Sequence, residues 1–109
     1  MTSDKLIGLL GMCRRAGKLT AGFDAVAALC KQDGVLTFVA EDASPRTVKE
    51  LRFRAEGAPL YRMPLSKEEA AHAIGSHKPV ACLAVTDHGF SRAIRPLVFE
   101  LEEESHYDD

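Results

Sequence analysis

A chain of 109 residues, 46% of them hydrophobic, carries enough apolar mass for one self-sufficient core and not for a second domain. Its net charge of −2 hides an uneven distribution: residues 1–99 hold all 14 basic residues against 10 acidic ones, a balance of +4, whereas 100–109 hold six acids and no base. No apolar run approaches the ~18 residues of a membrane span, and Met1-Thr2-Ser3-Asp4-Lys5 lacks a signal peptide's charged lead and cleavage site, so a cytoplasmic protein with no membrane partner is expected.

In chain order, apolar residues at 6, 9, 10 and 13 have helical spacing from Leu6 to Arg15, with Thr2 or Ser3 as the cap. Lys18-Leu19-Thr20 suits only a short strand. Gly22 opens a second helix, with Ala25, Val26, Leu29 and Cys30 on one face and Gly34 at its end. Val35–Ala40 is a continuous β-prone run, the pattern of a strand buried on both faces. Ser44-Pro45 combines a capping hydroxyl with proline in the first helical turn, and that helix runs to about Glu56 before Gly57. Leu60–Met63 is a short strand. Ser66-Lys67-Glu68-Glu69 is a capping box opening a helix that ends at Gly75. Val80–Val85 reads as a second buried strand. A last helix starts at Asp87 or His88, and Pro96 ends or kinks it near Arg95.

Alternation of helices and strands argues for an α/β fold, a three-layer α/β/α sandwich around a four-stranded mixed sheet. Residues 1–99 form the domain. Residues 100–109 form an acidic, mobile tail that competes electrostatically with phosphates near a basic face. Cys13, Cys30 and Cys82 are odd in number, lie in apolar stretches and have no Cys-x-x-Cys spacing; they read as reduced core thiols.

Signatures of chemistry are absent, and no cofactor or small-molecule substrate is expected. Gly8-x-x-Gly11 lacks the lysine and preceding strand of a phosphate loop and suits helix packing. His72 and His77 are five apart with Gly75 between them, not the i, i+4 spacing of a helical metal pair. His88 and Ser91 on one helix make no triad. Glu41-Asp42 follows a buried strand, where paired acids either hold magnesium or satisfy the loop and cap a helix.

The basic residues say more. Arg14, Arg15 and Lys18 cluster at the end of the first helix, and a helix start at Gly22 offers free backbone N–H groups to a phosphate. Chain order places that cluster on the same end of the domain as Gly22 and residues 86–90. Arg46, Lys49, Arg52 and Arg54 spread around the third helix and read as its solvent side.

Several blocks taken together resemble the kink-turn-binding ribosomal protein family, of the L-seven-Ae and L-thirty-e type, including its small bacterial homologues. They are Leu9-Leu10-Gly11, Arg15-Ala16-Gly17-Lys18, Gly22-Phe23-Asp24-Ala25-Val26, Ala40-Glu41-Asp42-Ala43-Ser44-Pro45, Ala73-Ile74-Gly75 and Ala84-Val85-Thr86-Asp87-His88-Gly89-Phe90. The resemblance spans about 1–98. It implies a non-catalytic RNA-binding protein that grips a sharply kinked internal loop with the start of its second helix and the loops at that end of the sheet. The family's glycine, asparagine, glutamate and lysine there fall near Gly22, Phe23, Asp24 and Ala27 or Ala28. A glutamate used against a flipped base falls at Ser44, a basic position at Lys78, and an apolar one near Ala81.

Only Gly22 and, loosely, Asp24 match. Phe23 has no donor or acceptor, and alanine has no charge, so two base contacts of ~1–3 kcal/mol each and a cation are missing. Phe23 can instead stack on an unpaired base. The expected partner is structured or ribosomal RNA with exposed bases, with the ribosome or another protein as a further partner. Arg14, Arg15, Lys18 and Lys78 would meet phosphates, and Gly22 would permit close backbone approach. The rival reading is a protein-interaction adaptor on the same fold; steep weakening with salt separates RNA binding from apolar docking. Similar domains sit beside RNA-modifying catalytic domains, but within these 109 residues none is expected.

Overall fold

The structure is a computed structural model and describes residues 2–101, Thr2 by its backbone alone. Helix α1 (Thr2–Arg15) is followed by β1 (Leu19–Ala21), α2 (Phe23–Leu29), β2 (Leu36–Val39), α3 (Pro45–Ala55) and β3 (Tyr61–Arg62). Then come α4 (Lys67–Ile74), β4 (Cys82–Val85), α5 (His88–Ile94), a 3₁₀ turn (Arg95–Leu97) and β5 (Phe99–Glu100). Strand order across the sheet is β1-β4-β2-β3-β5. Only β2 and β3 run parallel; the other pairs are antiparallel.

All four residues of β2 and all four of β4 are buried, as expected of strands covered on both faces. Helix α1 packs on α4 and α5, and α2 packs on α3, which gives the three layers. On α1, Leu6, Leu10 and Cys13 are all fully buried, an i, i+4, i+7 stripe. A Cβ on Gly11 would lie 3.5 Å from the Ala73 carbonyl oxygen, so this glycine brings α1 close to α4.

The local signals act as read. Ser44 caps α3 by accepting from the Thr47 N–H at 3.1 Å. In α4, Ser66 Oγ accepts from the Glu69 N–H at 3.0 Å while Glu69 Oε1 accepts from the Ser66 N–H at 2.8 Å, both halves of the capping box. Asp87 Oδ2 accepts from the Phe90 N–H at 3.0 Å and opens α5, which gives way to the 3₁₀ turn one residue before Pro96. All three cysteines are free and buried. Burial, with Asp87 nearby, pushes the Cys13 thiol up to about 11, and burial pushes Cys82 up to about 12, so neither is a thiolate at neutral pH.

Four expectations change. The sheet has five strands, not four: β5 pairs with the free edge of β3, Tyr61 opposite Glu100 and Arg62 opposite Phe99. Two residues carry no readable period, so only the unpaired edge of β3 defines that strand. Helix α2 ends at Leu29 rather than near Gly34, because Gln32 turns back to donate to the Leu29 carbonyl. Thr2 and Ser3 are already helical and do not cap α1. The acidic segment begins inside the sheet: Glu100 lies in β5 and Leu101 N–H donates to the Leu60 carbonyl at 2.8 Å. The rest of the expected tail, 102–109, lies outside the described residues. No helix among the described residues is long and apolar enough to cross a membrane.

Candidate nucleic-acid interface

The register of the three central strands divides the candidate residues between the two ends of the sheet. Gly22 N–H donates to the Cys82 carbonyl at 3.3 Å, and Ala40 N–H donates to the Ala81 carbonyl at 2.8 Å. These two bonds bring the start of α2, the β2–α3 loop and the last residues of the α4–β4 loop to one end. Gly22, Phe23, Asp24, Ser44 and Ala81 therefore share it, and Lys78 lies three residues before Ala81 in the loop that leads there.

At the other end Thr86 N–H donates to the Lys18 carbonyl at 3.1 Å. Lys18 and residues 86–90 sit there together, with Arg14 and Arg15 just before them at the end of α1. The expectation that the Arg14–Arg15–Lys18 cluster shares an end with Gly22 is thus corrected. A three-residue strand lies between, and four steps of extended chain span roughly 13 Å. Sequence neighbours separated by even a short strand land on opposite rims of a sheet.

Gly22 has φ 99° and ψ 148°, a conformation nearly closed to other residues, and it precedes α2 with no side-chain cap. A Cβ placed on it would meet nothing within 4 Å. The glycine is thus required by its backbone and not by space, and its surface is open to a ligand. Replacing it with alanine is expected to cost about 1–3 kcal/mol from strain alone. Urea unfolding of Gly22→Ala measures this; a loss under a few tenths would mean that the turn relaxes freely.

Phe23 is half-buried and packs in part on the core. Its remaining surface lines a groove of about 610 Å³ with Arg46, Lys49, Glu50, Phe53 and Arg54 of α3. Part of the ring is thus spent on the core, and the rest faces the groove. Asp24 is exposed in the first turn of α2, where a carboxylate suits the helix dipole. Ala27 is only 5% exposed and faces the core, whereas Ala28 is exposed, so of the two alanines only Ala28 faces solvent.

Ser44 is exposed but engaged: besides capping α3 it donates to Thr47 Oγ1 at 3.0 Å. Lys78 is exposed, and its loop is held by Ser76 Oγ, which donates to the Lys78 carbonyl at 3.0 Å and accepts from its N–H at 3.2 Å. Val80 N–H donates to the Lys67 carbonyl at 3.1 Å, which fixes the run into half-exposed Ala81. On Glu41-Asp42, the structural reading prevails for Asp42: Oδ1 accepts from the Lys67 N–H at 2.9 Å and ties the loop to the start of α4. Among the described residues no group of three or more His, Cys, Asp or Glu side chains is arranged to hold a metal ion.

Two residues escaped the sequence reading. Arg62 Nη1 donates to the Ala40 and Glu41 carbonyls at 3.1 and 2.9 Å, clamping the β2–α3 loop from the neighbouring strand. An arginine between Tyr61 and Met63 in a short strand was the available signal. Phe53, 82% exposed, is the other; only its position one turn beyond Lys49 and Glu50 marks it. Arg14 is exposed, and its Nη1 lies 3.6 Å from where a Cβ on Gly75 would stand, beside the C-terminal end of α4, where a cation suits the helix dipole.

Comparison with known proteins agrees with this architecture. The model of the ribosomal protein L7Ae/L30e/S12e/Gadd45 family matches residues 4–95. The RNA-binding protein YlxQ of Enterococcus faecium is 30% identical over 99 residues, covering 86% of this chain and 91% of that protein. A Bacillus halodurans protein of unknown function superposes with a TM-score of 0.72 at 30% identity, over 85% of this chain and 95% of that one. The Giardia lamblia 15.5kD RNA binding protein superposes with a TM-score of 0.69 over 88% and 83% of the two chains; at 19% identity it shares the fold.

Proposed function

The chain belongs to the ribosomal protein L7Ae/L30e/S12e/Gadd45 family, and from this premise we infer that it is a non-catalytic binder of structured RNA. The observation that carries the reading is the convergence of the Gly22–Asp24 turn, the Ala40–Ser44 loop and the Lys78–Ala81 loop on one end of the sheet. The similarity to a protein named for RNA binding supports it. Gly22 admits a backbone closely, Phe23 offers a ring face to an unpaired base, and Lys78 meets a phosphate. Proteins read RNA sequence mainly at loops and bulges whose bases are exposed, which suits an end built of three loops. The RNA is a bulged or kink-turn-like element, read with fewer polar base contacts than the family pattern supplies.

Arg14, Arg15 and Lys18 then serve a longer ligand. Lys18, roughly 13 Å from Gly22 along β1, and the two arginines before it are within reach of a flanking helix, not of the bulge itself. Lys78→Glu is expected to weaken every structured RNA. Arg15→Glu with Lys18→Glu is expected to weaken only RNAs with an extended flank, and to flatten the salt slope there by about two. Fluorescence anisotropy with bulged hairpins of two stem lengths, titrated with salt, reads both effects. Salt-independent binding, or no response to Lys78→Glu in a folded protein, removes the RNA reading and leaves that of a protein-interaction adaptor.

A further inference from the structure

The groove between the start of α2 and the outer face of α3 has a composition that a merely solvated helix does not need. Arg46, Lys49 or Glu50, and Phe53 follow one another at i, i+3/i+4 and i+7, so they form a single stripe along α3. Phe53, at the end of that otherwise polar stripe, is 82% exposed. Phe23 supplies a second ring from across the groove. Arg46 Nε lies 3.4 Å from Glu50 Oε2, which occupies the one acid of the lining. Lys49 and Arg54 make no ion pair among the described residues. Two aromatic faces and two uncommitted cations thus line one open groove of about 610 Å³.

We propose that this groove is a second RNA subsite, taking two or three unpaired nucleotides that leave the bulge at the Gly22 end. The proposal rests on the RNA reading above and extends it to α3. Continuity supports it: Phe23 belongs at once to the turn after Gly22 and to the groove, and α3 begins at Ser44 on the same end of the sheet. From Arg46 to Phe53 the helix advances roughly 10 Å, a length that suits a few nucleotides. Bases stack on aromatic faces without sequence preference while cations follow the phosphates, the recognition mode of single strands. The pairing of rings with positive charge favours nucleic acid over an apolar peptide.

The test uses the full chain, nitrogen-15 labelled, with hexauridylate, hexaglutamate and a bulged hairpin as three separate probes. Hexauridylate is expected to shift the amides of residue 23 and of 46–54. Phe53→Ala is expected to weaken it roughly 5-fold or more, the lower range of one lost stacking contact, while Phe53→Trp keeps it. Because Phe53 is so exposed, neither substitution threatens the fold. Hexauridylate shifts confined to 22–24 and 78–81, or affinity unchanged in Phe53→Ala, would overturn the subsite and leave the primary interface standing. So would a hairpin that shifts 22–24 and 78–81 while hexauridylate shifts nothing. Hexaglutamate shifting 46–54 where hexauridylate does not would reassign the groove to a protein partner. Silence toward both RNAs would overturn the subsite and the RNA reading together.

Discussion

Lysine introduced at position 28 is expected to raise affinity for a kink-turn RNA about tenfold and leave stability unchanged, whereas lysine at position 27 is expected to unfold the domain or nearly so. The two sites are adjacent on α2 but differ in surroundings. Ala28 is exposed on the same short helix that Gly22 opens, so an ammonium there is solvated and reaches out toward a phosphate. One hydrogen bond to a charged group is worth about 1.5–3 kcal/mol, a factor of ten or more. Ala27 is 5% exposed within the core, where an unpaired ammonium costs several kcal/mol against a total stability of roughly 5–15 kcal/mol. The wild-type chain itself should bind a standard kink-turn only weakly, at micromolar affinity or worse. Filter binding in physiological salt, with circular dichroism for folding, checks all three proteins. Nanomolar wild-type affinity would show that Phe23 and the alanines are no handicap, and a well-folded Ala27→Lys would contradict the burial of that face.

Phe38→Ala is expected to cost about 3–5 kcal/mol, with a fall in Tm of more than about 12 °C for a domain of this size. Phe38 is fully buried and is the largest side chain so enclosed. It sits in β2 at the sheet's centre, opposite Leu83 of β4 and Tyr61 of β3. Those strands carry the Ala40–Ser44 loop and Ala81 of the candidate interface, so RNA binding should vanish at temperatures where the variant is unfolded and return on cooling. Thermal melts followed by circular dichroism decide it. A loss below about 1 kcal/mol would mean that the central strand can be hollowed without consequence, which close packing forbids.

Helix caps and buried strands were legible because their causes are local. Ser44 before Pro45, the Ser66 and Glu69 pair, Asp87 before His88, and glycine at 75 each bond or bend within a few residues. The two apolar runs that became β2 and β4 needed no partner to be recognised, since only a strand covered on both faces tolerates so little polarity. Family resemblance rested on the same blocks and held over residues 4–95.

By itself, then, the chain determined most of its elements, its three layers, its buried thiols and its family. Register and packing across long separations decided the rest. A three-residue strand sent Lys18 to one rim of the sheet and Gly22 to the other, because each residue's position along β1 is set by its partner in β4, more than sixty residues away. Whether Ala27 or Ala28 meets solvent depended on how α2 lies against β4 and α3, which no window along α2 reveals. Arg62 found its carbonyls across a parallel strand pair, and β5 formed because β3 had an open edge. Phe53 and Phe23, thirty positions apart, became one groove only when α2 and α3 packed together. Local interactions specify what each segment is; non-local ones specify which segments face each other, and a binding surface is made of the second kind.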